Sequence, residues 1–554
     1  MSLADLLRRR ATDPAAAERI YLRFEDDRVS FAETLRRAAR WANLLRELQE
    51  PSRPFHVGLL LENRPEFVYA ELGAAMAGAV VAGLNPTRRG AHLAADVAAA
   101  DCQFVVTESR FVALVDEALG RAPAGVRVLD VDGDAPALLA RQPTDDPRVP
   151  TSFDDLFLLV FTSGTTGGPK AVMRGHGRLA LMGEGAAQML AHAVPDDVIY
   201  CAMPLFHSNA QILALAMSLA AGCGLALGRR FSKTRFLPEV RHYGATLFNY
   251  VGSPLAYVMD TPERPDDADN PLRLAYGNEG PRQYLDAFAR RFGCRVIDSY
   301  GASECGVSFT RQDGDPPGSL GKVGGGVAIV NDDDAECAPA RLDAAGRLLN
   351  PEEAIGEIVN TGGVGLFEGY YKNDVATAER RRGGRYHSGD LGYRDANGYV
   401  YFAGRDVEWL RVDGENFLAR PVETILARHP DVFLAAVYAV PDAEAGDRVM
   451  AALALRDGAR FDPVAFARWL DTQGDLSPKW QPIWIRTLPD LARSETNKVQ
   501  KRALQREKFL VHGTGEAVWW RPRGADVFRP FNSDDLALLR ERFAAAGNLA
   551  RLGA

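Results

Sequence analysis

Apolar and polar positions follow one rhythm up to about Gly321: short unbroken apolar runs alternate with longer, Ala-rich stretches of helical period. "HVGLLLE" (His56–Glu62) reads as a strand buried on both faces, and "PEFVYAELGAAMAGAVVAGLN" as a helix running into another strand. "CQFVVTES" follows the helical run "HLAADVAAA", and the same alternation returns in "ALAMSLAAGCGLAL" and "EVRHYGATLFNYV". Strands alternating with helices predict βαβ units and largely parallel sheets. Beyond Gly321 the runs shorten and turn Gly-rich. "GEIVNTG", "GYVYFAG" and "EWLRVDG" predict β-hairpins or a small barrel. After Arg405, "RPVETILARHPDVFLAAVYAV" predicts a small, separate α/β or α+β unit. The tail predicts an amphipathic helix from about Ser533 that docks onto the body or onto a dimer partner, because its acidic and basic residues together disfavour a membrane surface.

One segment departs from the rhythm. Ala210–Leu227 carries no charge over 18 residues, the minimum length of a membrane span. Gln211, Ser218 and the Ala/Gly content predict instead a buried helix running into a buried strand. At 554 residues the chain exceeds the roughly 250–300 at which single cores stop growing, so at least two domains are expected. Hydrophobic residues at 47% and charged residues at 25% are ordinary globular proportions, and a net charge of −8 excludes a general nucleic-acid binder. The six cysteines show no CxxC spacing, which predicts reduced thiols, and the N-terminus lacks the apolar stretch of a signal peptide. Both features predict a cytoplasmic protein without a transmembrane segment.

The chemistry concentrates in "VFTSGTTGGPKAVMRGH" (Val160–His176). An apolar run, Leu156–Phe161, delivers a loop of Ser, Thr and Gly whose backbone N–H groups can approach phosphate oxygens, since glycine has no Cβ in the way. Ser163, Thr165 and Thr166 add hydroxyl donors and Lys170 a mobile cation. The spacing is not that of a Walker A loop, because Lys170 follows Pro169 and precedes Ala171.

This stretch resembles the phosphate-loop signature of the adenylate-forming superfamily: acyl- and aryl-CoA synthetases, peptide-synthetase adenylation domains and luciferases. Three further motifs appear in order: "YGASE" (Tyr300–Glu304), "YHSGDLGYRDANGYVYFAGR" (Tyr386–Arg405) and "SETNKVQK" (Ser494–Lys501). "AYGNEGPRQYLDAFARRFG", "GRDVEWLRVDGENF" and "TNKVQKRAL" are similar to the branch of very-long-chain acyl-CoA synthetases and fatty-acid transport proteins, of the soluble FadD-like kind. The resemblance implies an N-terminal core of two doubly wound α/β sheets plus a small β-barrel (1–404), a hinge (405–407) and a smaller, mobile α+β domain (408–554). It implies ATP, Mg²⁺ and CoA as cofactors and an acid that is first adenylated and then passed to CoA.

The same resemblance assigns roles. Thr162, Ser163, Gly164, Thr165, Thr166, Gly167 and Lys170 would hold the phosphates; Gly277, Asn278 and Tyr300 the adenine; Asp390 the ribose hydroxyls; Arg405 the nucleotide beside the hinge. Glu304 would bind Mg²⁺, and Ser303 would direct its hydroxyl at the α-phosphate. Lys498 would bridge carboxylate and α-phosphate in the transition state, with Lys501 the weaker choice. His207, Tyr250, Val251, Gly252 and Ser253 would line the acyl pocket. Val407 stands at the hinge position where many relatives carry Asp or Lys, and the loop at Val412–Glu415 would face CoA. A ligase that activates another oxyacid (aryl, amino acid or nitrite) with an amine or carrier protein as acceptor is the alternative enzyme. A non-catalytic nucleotide or lipid binder is the alternative class. A homodimer is one assembly compatible with the sequence, which does not fix the oligomeric state.

Overall fold

Parallel strands covered on both faces need apolar side chains in both directions, and the unbroken runs of the sequence become such strands. The computed structural model describes residues 1–552 except 121–124, 163–169, 253, 281, 313, 317, 344–347, 406–408, 413–414, 443–446, 475, 477, 494–498, 510–514, 523 and 546–548. The chain groups into two units, Met1–Gln312 with Asn360–Tyr386, and Asp313–Val359 with His387–Ala554.

The first unit holds two mixed sheets. One has eight strands, ordered Ser308–Thr310, Arg295–Gly301, Leu274–Asn278, Leu247–Val251, Val198–Cys201, Gly224–Leu227, Ile20–Phe24 and Asp27–Ser30, parallel except at its two edges. The other has six, ordered Arg127–Asp130, Phe104–Thr107, His56–Leu60, Val80–Gly83, Leu156–Thr162 and Lys170–Gly175, with only the last pair antiparallel. A single core joins the facing sides of both sheets, for instance Val57 and Val81 with Ile199 and Leu247, through the helices packed with them. Pro65–Ala77 lies in that layer and is buried all round, as a helix apolar on every face should be. Separate cores cover the outer faces of the two sheets, so both are doubly wound as expected.

The uncharged segment Ala210–Leu227 is helical to Ala221 and ends in the buried strand Gly224–Leu227. Its helix contains a π-helical stretch at Gln211–Ala216. Among the described residues no helix is long and apolar enough to cross a membrane.

In the second unit, the strands Gly321–Lys322, Tyr399–Arg405, Arg385–Arg394, Gly356–Asn360 and Val327–Val330 form an open half-barrel rather than a closed one. The C-terminal domain is a five-stranded sheet, Val432–Pro441 to Arg529–Pro530, with one core on each face. The tail helix Ser533–Ala545 docks onto this domain's own core through Leu539 and Phe543. All six cysteines are free thiols.

Candidate active site

The phosphate-type loop hangs between two strands. Thr162 and Lys170 are the last register partners of the antiparallel pair Leu156–Thr162 and Lys170–Gly175, and the Thr162 hydroxyl donates to the Lys170 carbonyl at 3.4 Å. Ser163, Gly164, Thr165, Thr166 and Gly167 lie outside the described residues. Lys170 closes the loop with its ammonium 3.7 Å from Glu379 Oε2 and 5.6 Å from the ring centre of Tyr370.

Tyr370 then connects that lysine to the "YGASE" motif, because its hydroxyl donates to Glu304 Oε1 at 2.7 Å. Glu304 is 9% exposed. Burial and then the Glu304 charge push the Tyr370 phenol well above its ordinary range, so it stays a neutral donor. Arg380 hydrogen-bonds the same phenol. Lys170, Tyr370 and Glu304 thus form one contiguous set, drawn from segments 134 and 66 residues apart in sequence, as the numbers 170, 304 and 370 give. Ser303 stands half-buried beside Glu304, and its carbonyl accepts from the guanidinium of Arg174. The donor chemistry at Glu304 fits Mg²⁺: a hard cation needs few protein carboxylates when phosphate oxygens and water complete its shell.

A second group gathers at the carboxyl ends of neighbouring parallel strands, where open α/β sheets place ligands. Tyr250, Gly277 and Asp298 are in register, as are Val251, Asn278 and Ser299. Gly277 must be glycine, since a Cβ there would overlap the Tyr250 carbonyl. Asn278 donates to the Ser299 carbonyl at 2.8 Å and accepts from Asn209 Nδ2 at 2.9 Å. Tyr300 is half-buried at the end of its strand, with its ring 5.7 Å from that of Phe309.

The residues expected to line the acyl pocket separate. Val251 faces the core between the sheets, as does Asn249. Tyr250 points the opposite way, into the outer core, where its hydroxyl donates to Asp298 Oδ1 at 2.9 Å. Gly252 takes φ +69°, and Ser253 lies outside the described residues. His207 is half-buried and precedes the helix that contains the π-helical stretch.

That stretch rests on an acid the sequence did not flag. Gln211 Nε2 donates to the Leu205 carbonyl at 2.6 Å and to Glu71 Oε2 at 3.0 Å, and Asn63 accepts from Leu205 N–H at 2.9 Å. Glu71 is fully buried, and desolvation pushes its carboxyl up to about 8 against the pull of the Gln211 hydrogen bond.

In the second unit, Asp390 is 4% exposed and pairs in register with Arg405 across the half-barrel. Glu357 fixes the turn before it, accepting from Gly389 N–H at 2.7 Å and lying 2.9 Å from His387 Nδ1. Val407 and Lys498 lie outside the described residues, as do 413–414 within the hairpin that pairs Val412 with Glu415. Lys501 sits 2.8 Å from Glu423 Oε1, the same oxygen that accepts from Val437 N–H at 2.8 Å. It is a structural tie in this arrangement.

Sequence reasoning missed Tyr370, Arg174, Arg380 and Glu71. Only Tyr370 had any signal, the paired aromatics after glycine in "EGYYKN".

Comparison with known proteins adds relatives to this geometry. The family model described as "AMP-binding enzyme" matches residues 7–371, and that described as "AMP-binding enzyme C-terminal domain" matches residues 421–498. The chain is 47% identical over 498 residues, 90% of its length and 94% of the other, to the medium/long-chain-fatty-acid–CoA ligase FadD17 of Mycobacterium tuberculosis. It is 43% identical over 542 residues, 97% of its length and 96% of the other, to the steroid-22-oyl-CoA synthetase of Rhodococcus jostii. Among solved structures, ATP-bound MatB from Rhodopseudomonas palustris superposes with a TM-score of 0.77 at 26% identity, covering 91% of this chain and 98% of that one.

Proposed function

The chain belongs to the AMP-binding enzyme family, and from that membership we infer that it is an ATP-dependent acyl-CoA synthetase. An acid carboxylate attacks the α-phosphorus of ATP and expels pyrophosphate; the thiol of CoA then attacks the acyl-adenylate carbonyl and expels AMP. The observation that carries the reading is the joined set Lys170–Tyr370–Glu304, whose lysine ends the phosphate-type motif.

A carboxylate attacking an anion needs charge neutralisation and in-line positioning more than covalent help. In this proposal Thr162 to Gly167 and Lys170 hold the phosphates and Ser303 directs its hydroxyl at the α-phosphate. Mg²⁺, when bound, supplies positive charge to the phosphate oxygens, and Glu304 holds it. Tyr370, a neutral donor, keeps the Glu304 carboxylate oriented. Gly277, Asn278 and Tyr300 flank the adenine, Asp390 takes the ribose hydroxyls, and Lys498 bridges carboxylate and α-phosphate. Rotation of the C-terminal domain about Arg405–Val407 separates the half-reactions; a domain with its own two cores can move as a body, which supports this reading. The six free thiols support a cytoplasmic setting.

For the acid, we propose a bulky lipophilic carboxylate that carries an oxygen function. Two relatives are named for fatty and steroid acids. Three buried polar atoms, Asn209 Oδ1 on the helix that begins at Ser208 and Asn249 Nδ2 and Ser299 Oγ on strands of the eight-stranded sheet, have no hydrogen-bond partner among the described residues. A plain alkyl chain would leave them unsatisfied. The test is pyrophosphate release with MgATP across fatty, hydroxylated fatty, steroid-type, aryl and amino acids, with and without CoA, and mass spectrometry of the product. A CoA thioester formed best from an oxygenated lipophilic acid is expected. Turnover indifferent to CoA would move the acceptor to an amine or carrier protein, and a preference for saturated chains would overturn the oxygen-function reading.

A further inference from the structure

Arg174 is an interior guanidinium whose hydrogen bonds among the described residues go only to main-chain carbonyls. It is 1% exposed, on the strand that begins at Lys170. Nη1 donates to the carbonyls of Met173 at 3.0 Å and Leu366 at 3.2 Å, and Nη2 to that of Ser303. Glu368, bound to the next residue on the strand, accepts from Gly175 N–H at 3.0 and 2.9 Å and from Arg178 at 3.2 Å. A buried charge without a carboxylate partner is costly, so its retention asks for a reason.

The three carbonyls supply one. They belong to the segments that deliver Lys170, Glu304 and Tyr370. Backbone bonds join the same segments: Leu366 N–H to the Cys305 carbonyl at 3.1 Å, Met173 N–H to that of Gly369 at 3.0 Å, and Tyr371 N–H to that of Ala171 at 2.8 Å. Arg174 reaches all three with one guanidinium.

We propose that Arg174 is a positioning residue for Mg²⁺-dependent ATP binding: it fixes the Ser303–Glu304 turn against the Tyr370 segment, so that the Glu304 carboxylate is presented in one geometry. The inference rests on the reading of Glu304 as the Mg²⁺ carboxylate. It makes Arg174 act through Glu304, without touching substrate itself.

The test is calorimetric titration of ATP into the full-length protein, with and without Mg²⁺, for wild type, Arg174→Met, Arg174→Lys and Glu304→Gln, with a melting temperature for each. Partners behind a metal-binding residue typically contribute about 10- to 100-fold in metal affinity or activity. Arg174→Met is expected to lose the Mg²⁺ enhancement of ATP binding by that factor while Mg²⁺-free ATP binding holds. Arg174→Lys, which keeps the charge and part of the hydrogen bonding, is expected to recover some of it. A folded Arg174→Met with the wild-type enhancement overturns the proposal, as does a lowered melting temperature alone. If Arg174→Met does not fold, Arg174→Lys decides by the same criterion. Full enhancement in Glu304→Gln removes the premise and the inference with it, whereas loss there with none in the Arg174 variants overturns Arg174 alone.

Discussion

Desolvation of the Glu71 carboxyl has a sign that a melting curve can read. Its folded value of about 8 stands above the ordinary glutamate range near ~4.3, so between those values the folded chain keeps a proton that the unfolded chain releases. Stability therefore falls as pH rises through that window, by up to about 1.4 kcal/mol for each unit of difference. Glu71→Gln keeps a hydrogen-bonding partner for Gln211 and carries no titratable group. Its melting temperature is expected to drop less than that of wild type between pH 5 and pH 8. Equal slopes would place the ionisation elsewhere. Gln211 also holds the Leu205 carbonyl, two residues before His207, so under the proposed function the proton bears on the setting of His207.

At the scale of elements, the helix Lys501–Glu507 follows the segment that carries Lys498 and is tied to the helix Ala419–Leu426 by the pair Lys501–Glu423. Lys501→Met strands the Glu423 carboxylate on a single donor, Val437 N–H. We expect a loss of about 1–3 kcal/mol in urea denaturation, the penalty of an underbonded buried group, with the KM for ATP unchanged. Unchanged stability with abolished turnover would instead make Lys501 the catalytic cation in place of Lys498.

The same elements show what a sequence can disclose. Parallel strands such as His56–Leu60 were legible because burial on both faces writes an unbroken apolar run, and the family was legible from its ordered motifs. Strand order across the eight-stranded sheet was not, since it is set by packing over hundreds of residues. Nothing in the linear pattern marks Arg174 or Glu71, because their burial is set by tertiary packing. Tyr250 is expected in the pocket together with Val251, Gly252 and Ser253, yet strand alternation turns its ring to the core opposite that of Val251.

On the scale of the whole molecule, the cores of the C-terminal domain are distinct from those of the first unit. Calorimetry is expected to resolve more than one transition, as multidomain chains depart from two-state behaviour. MgATP at about 100 times its Kd should raise the stability of the binding-competent state by about 2.7 kcal/mol and move the transition that contains Lys170 and Glu304. A single ligand-shifted transition would mean that the units unfold as one.

The docked tail also has a bearing on biosynthesis. The C-terminal family model stops at residue 498, yet Leu504, Trp520 and Phe543 share a core with Tyr438 and Met450 on the first two strands of the sheet. Phe543 is fully buried. The earlier domains can fold while translation continues, but the C-terminal sheet cannot finish covering one of its faces until Leu539 and Phe543 have emerged from the ribosome. A premature stop codon in the last helix would therefore yield a protein with a folded nucleotide-binding core and an uncovered hydrophobic sheet, which quality-control proteases would recognise.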